Sequence, residues 1–169
     1  MPNAERPPFD ERVRWVEQAA QAGNTTQALA LARTLLAEAE ADAESVAAAD
    51  PSRLAHALNW LGMFFFRQSF HHEALAAYRP ALAIMQRIAP DDAANHAALH
   101  NNIGQAEGRL HRHHDAVVHL ERALALTPLD PMRYYFESLA AAGMLAAGRH
   151  DEAIALCESS LRVNGAHTP

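Results

Sequence analysis

Two asparagine–arginine pairs stand out in this chain. In NWLGMFFFRQSFHHEA, residues 59–74, and in NNIGQAEGRLHRHHDA, residues 101–116, an Asn precedes an Arg by the same interval, and a Gly, a His pair and an Ala keep the same 42-residue offset. An amide can donate to and accept from an extended peptide backbone at once, and a guanidinium can hold a carboxylate through two bonds. The pattern therefore points to recognition of a peptide, and its doubling to two copies of one supersecondary unit. Asn59, Met63, Phe66 and Arg67 fall at i, i+4, i+7 and i+8, so they share one helix face. Asn101, Gln105, Gly108 and Arg109 repeat that face, with His56 and Ala98 one turn earlier. Met63, Phe66 and Tyr135 would supply the apolar anchor that such sites need.

These residues must be carried by helices. Period and punctuation predict helices over about 10–22, 25–49, 51–68, 71–89, 92–110, 113–126, 132–147 and 151–163, and strand signals are nearly absent. Asp50-Pro51 and Asp130-Pro131 each offer an N-cap followed by a proline at the first helical position. Gly23, Gly148 and Gly165 read as C-terminal stops. Pro80 falls inside the fourth helix, where a kink near Ala76–Pro80 is expected. The class is all-α.

Pairs of these helices resemble the tetratricopeptide repeat, whose pattern is an apolar or aromatic residue, Leu-Gly, Tyr, and later Ala, an aromatic residue and Pro. The second pair carries Leu58, Leu61-Gly62, Phe65, Ala74 and Tyr78 at those offsets. The third has Ile103-Gly104, Ala116, Leu120 and Pro128, with His100 and Glu107 where large apolar side chains are usual. The fourth keeps Gly148, Ala153 and Leu161, with Ala140-Ala141 for Leu-Gly, and the first keeps Trp15, Gly23 and Ala28. The marker alanines 28, 74, 116 and 153 are 46, 42 and 37 residues apart, against about 34 in the usual repeat. Such spacing is similar to the extended-helix variety of kinesin light chains. The resemblance implies a right-handed superhelical array of four units, at about 9–49, 51–89, 92–128 and 131–164, in a single domain between an arm over 1–8 and a tail over 166–169. It also implies a concave groove faced by Asn59, Met63, Phe66 and Arg67 and their counterparts, and a protein or peptide as partner.

Within the second unit Leu58, Leu61, Gly62 and Phe65 form the buried stripe, Phe64 contacts the preceding unit, and Phe66 is left as the candidate anchor. His71, His113 and His150 stand at equivalent turn positions and are expected to pack between helices. The HRHH run at 111–114 and the pair His96 and His100 invite a metal reading, but zinc wants three or four converging ligands, and the pair lacks a third. No metal or cofactor is expected. Cys157 reads as a buried structural thiol on the inward side of the last helix. No Ser-His-Asp order, phosphate loop or carboxylate pair emerges, so no catalytic activity is expected.

Composition agrees. Net charge is −6 with no lysine, which disfavours nucleic acid as partner. No span of about 20 apolar residues suits a membrane, and the start lacks the pattern of a secretory signal, so a cytoplasmic home is the default. The competing readings are a homodimer formed through an uncapped last helix with Ile154, Leu156, Leu161 and Val163 uncovered, and a small helical enzyme or metal-binding protein.

Overall fold

The computed structural model describes residues 7–41, 50–127 and 133–165, with side chains up to residue 162. Among them lie eight helices and no strand: α1 Phe9–Gln21, α2 Thr25–Ala41, α3 Pro51–Arg67, α4 His71–Ile88, α5 Ala93–Arg109, α6 His113–Leu126, α7 Arg133–Ala146 and α8 His150–Gly165. The Asp50 carboxylate accepts from the Arg53 N–H at 3.1 Å beside Pro51, and Asp92 caps α5 through the Asn95 N–H at 3.1 Å. α4 runs through Pro80 without interruption. The expected stretch of α2 beyond Ala41, Pro128, the Asp130-Pro131 cap, the first six residues and the tail lie outside the described residues.

Four turns share one backbone. Gly23, Ser69, His111 and Gly148 all have left-handed φ, between 60° and 79°, and they are spaced by the same 46, 42 and 37 residues as the alanines. After each, the next N–H reaches back five residues: Asn24 to Ala19 O at 2.9 Å, Phe70 to Phe65 O at 2.9 Å, Arg112 to Glu107 O at 3.0 Å and Arg149 to Met144 O at 2.8 Å. This closes the first helix of each pair. The carbonyl of that same residue then accepts the N–H of the marker alanine, Ala28, Ala74, Ala116 or Ala153, which starts the second helix.

The helices group into two compact units, one up to Ile84 and one from Met85. In the first, α1 packs on α2 and both touch α3. The α3–α4 pair closes at Gly62, where an added Cβ would lie 2.4 Å from the Tyr78 ring. Leu58, Leu61 and Phe65 fill the stripe around it, and Ala74 and Tyr78 meet them, all nearly inaccessible. Burial pushes the Tyr78 phenol above its usual range. In the second unit α5 packs on α6, and α7 packs on α5, α6 and α8. Leu120 of α6 is the knob there: a Cβ on Gly104 of α5 or on Gly143 of α7 would stand 2.8 Å from its side chain. Val117, Ala141, Met144 and Ala153 form the neighbouring core, against which Leu156 packs. Leu156 is therefore not one of the uncovered residues of α8, because it points at α6 and α7. Trp15 is 45 % exposed, and the residue that reaches the core beside it is Val16.

One register position departs from an apolar core. Eleven residues before each turn stand Arg12, Leu58, His100 and Glu137. A polar group taken out of water costs several kcal/mol unless it is bonded, and each polar one here has a dedicated partner. Arg12 makes two bonds of 2.6 Å to the Glu38 carboxylate and a third to Pro7 O at 3.0 Å. His100 meets His119, Nδ1 to Nδ1, at 2.8 Å. Glu137 accepts from Arg133 and from Ser159, both at 3.0 Å, and Arg133 also donates to Leu124 O and Thr127 O at the end of α6.

Ser69→Gly and His111→Gly, which remove the Cβ from a left-handed residue, should each raise unfolding free energy by about 0.5–1 kcal/mol. Gly62→Ala should lower it by about 1–3 kcal/mol, since the 2 % exposed Tyr78 has nowhere to go. Urea denaturation followed by helical circular dichroism checks all three.

Candidate functional site

On α3 the expected face is largely at the surface. His56 and Arg67 are exposed, Met63 is 46 % exposed, and Asn59 and Phe66 are half-buried. The His56 ring donates from Nδ1 to Ser52 O at 2.7 Å, and Phe66 lies against the His71 ring at 5.2 Å between centroids. On α5, Gln105 and Gly108 are half-buried and Arg109 is exposed, but Asn101 is only 5 % accessible. Asn101 sits one turn from the buried Ala97 and three residues before Gly104, on the packed flank of its helix, so its amide is withdrawn from the surface. Its Oδ1 finds no hydrogen-bond donor among the described residues. Tyr135 on α7 is 44 % exposed, edge-on to Phe136.

Among the described residues, each unit holds a crevice that gathers part of this set. The first, about 360 Å³, lies between α1 and α3 with the start of α2. The second, about 350 Å³, lies between α5 and α7 with α6 behind. The register of the four turns makes them equivalent. α1 contributes Glu17, Ala20 and Gln21 where α5 contributes Gln105, Gly108 and Arg109, and Thr25 answers to His113. α3 contributes Trp60, Met63, Phe64 and Arg67 where α7 contributes Leu139, Ala142, Gly143 and Ala146. Met63 and Arg67 thus line the second wall of their crevice, whereas Gln105 and Arg109 line the first wall of theirs. The duplicated Asn–Arg spacing does not build the same site twice.

The two crevices differ in chemistry. The first has Trp60 stacked on Phe64 at 5.8 Å and carries both a carboxylate, Glu17, and a guanidinium, Arg67. In the second, small residues of α7 leave an apolar hollow floored by Leu120, and Arg109 is the permanently charged group on its lining. Neither Arg67 nor Arg109 forms an ion pair among the described residues, unlike Arg12, Arg33, Arg53, Arg133, Arg149 and Arg162. His56, Asn59, Phe66, Asn101 and Tyr135 line neither crevice. The lining residues of α1 and α7 were not singled out from sequence. The alanine spacings carried onto α1 and α7 would have marked them.

Among the described residues no group of three or more His, Cys, Asp or Glu has a metal-holding arrangement. His71 and His113 are half-buried at their helix starts, His113 edge-on to His111 at 5.6 Å, while His150 is exposed rather than packed between helices. Cys157 is exposed, contrary to the expected buried thiol, because α8 turns Ala153, Leu156 and Ser160 inward instead. No described helix is long and apolar enough to cross a membrane.

Among the described residues, helices paired through four equivalent turns define an all-α helical repeat array. Residues 53–128 match the profile of the tetratricopeptide-repeat family, and the array of paired helices is of that kind. Solved structures share the fold. BtubC from P. vanneervenii is 22 % identical with a TM-score of 0.79, over 99 % of this chain and 70 % of its own. A kinesin light chain repeat protein of Podosopora anserina is 20 % identical with a TM-score of 0.74, over 98 % and 79 %. PilF of Pseudomonas aeruginosa is 26 % identical with a TM-score of 0.62, over 93 % and 61 %. No curated protein sequence matches this chain.

An exposed thiol should react with a maleimide or disulfide reagent in the native state. Cys157 is expected to be modified to about one equivalent without denaturant. Modification that waits for denaturant would put the sulfur back inside.

Proposed function

We propose that this protein is a non-catalytic interaction module that binds an extended segment of another protein, with Arg67 and Arg109 receiving carboxylates of that segment. One observation supports the reading most: each unit has a crevice large enough for a bulky side chain, with an arginine at its lining that has no ion-pair partner among the described residues. An arginine left open to solvent can form a two-bond contact with a carboxylate at little cost in desolvation. Met63 and the hollow over Leu120 offer apolar contact beside it. Asn59, Gln105 and His56 add polar groups along the same helix faces, and Phe66 and Tyr135 add apolar surface. The reading does not need Asn101.

A second reading, self-association through α8, is favoured by a specific stripe. Ile154 and Leu161 are 57 % and 70 % exposed, and the exposed Cys157 stands between them at i+3 and i+7 spacing.

Display of random peptides against the immobilised protein tests the first reading. Peptides with Asp or Glu next to a bulky apolar residue should be enriched. Arg109→Glu or Arg67→Glu should weaken the selected peptides at least tenfold, about 1.4 kcal/mol. No enrichment, or equal binding by both variants, would remove the reading. Light scattering separates the second: a dimer abolished by Leu161→Asp supports it, and a monomer, or a dimer indifferent to that change, rejects it.

A further inference from the structure

We propose that His100 and His119 form a proton-sensitive latch that holds α5 against α6, closed with a single proton between the facing nitrogens and opened when both rings are protonated. The two Nδ1 atoms stand 2.8 Å apart and the rings 5.1 Å, tilted by 35°. A hydrogen bond of that length requires one N–H and one lone pair. Two imidazolium rings would set N–H against N–H at the same spot, and the contact would have to separate.

The surroundings tell the two rings apart. On its far side His119 places Nε2 3.9 Å from the carboxylate of Glu107, which is 2 % exposed. A positive charge on His119 therefore has a carboxylate to face, and a second on His100 has none. The other groups that act on His100 are His96 on its own helix and Arg122 on α6, and both oppose a second positive charge. On α7 the residue equivalent in register, Glu137, bonds Arg133 and Ser159 through Oε1 while its buried Oε2 finds no hydrogen-bond partner among the described residues, and it is not among the groups that act on His100. The His100 pKa is lowered to about 4, first by burial and then by His119, Arg122 and His96.

The sign follows from linkage. Unfolded, His100 takes its proton near the ordinary value of about 6.5. Folded, it does so only near 4. Between these values the unfolded chain binds the extra proton, so the latch contributes fully above about pH 6.5 and its contribution falls away as the pH drops toward 4. The position equivalent to His100 is Leu58, and that equivalent to His119 is Ala77, both buried in the second hairpin. That apolar pair shows that the repeat closes there without an ionisable group, so the histidines add a pH response to a contact that needs none. The same helices carry Gln105, Arg109 and His113 of the second crevice, although the latch is read from the protein alone, whatever fills that crevice.

Side-chain nitrogen NMR of the intact protein from pH 8 to pH 4 tests this directly. Expected are one ring of the pair protonating first and His100 staying neutral until near pH 4, with His119→Ala moving the His100 midpoint upward by about one unit or more. In parallel, the urea midpoint should fall between pH 7.5 and pH 5, and His100→Leu with His119→Ala should reduce that fall. Independent titration of both rings near 6.5, or a His100 midpoint unmoved by His119→Ala, would overturn the proposal. The wild-type titration decides even if the double variant does not fold.

Discussion

How closely two neighbouring helices can approach governs the rest of this structure. Gly62 admits the Tyr78 ring, and Gly104 with Gly143 admits Leu120, at distances that no Cβ tolerates. Contacts this close demand that each second helix leave the turn at a fixed angle, which the left-handed residue and the bond that reaches back five residues provide. Register is thereby locked in all four pairs, although the loops and helix lengths vary. Stripes, crevices and exposed faces then follow from residue number alone.

That lock explains why polar residues can occupy a core position. Arg12, His100 and Glu137 stand where Leu58 packs in the second hairpin, and each is met by a partner fixed by the same register. Replacing such pairs by well-packed apolar residues is often neutral or stabilising, whereas removing one partner is costly. Stability therefore does not account for their presence. Arg133 is informative, since it serves Glu137 and at the same time satisfies the last carbonyls of α6. It stitches the fourth repeat to the third through hydrogen bonds, where hydrophobic stacking alone would be less specific.

Much of the fold could be read from the chain. Helix periodicity, the Asp50-Pro51 cap and the Gly–Ala pairs at constant offset report local and short-range geometry, which composition expresses directly. The buried stripe of Leu58, Leu61 and Phe65 was legible for the same reason. Less visible were Ser69 and His111, whose backbone is imposed by the helices on either side and not by their own preference. Cys157 was misplaced because an inward or outward direction on a helix depends on a rotation of one residue. Asn101 shows the sharper limit: equal offset gives equal backbone, while exposure depends on what the neighbouring helix brings. The candidate site was half legible, for the arginines were found but the walls that face them, Glu17 to Gln21 and Leu139 to Ala146, lie on helices whose repeats diverge most.

The stitching by Arg133 and the private solutions at Arg12, His100 and Glu137 mean that the four hairpins are not interchangeable bricks. The pairs at Arg12, His100 and Glu137 each lie within one hairpin and would travel with it, whereas parting the fourth hairpin from the third would take the Arg133 guanidinium away from the last carbonyls of α6. The junction between the third and fourth modules is thus written into polar chemistry as well as into the thread of the backbone, and a form shortened or permuted there must supply another donor for those carbonyls.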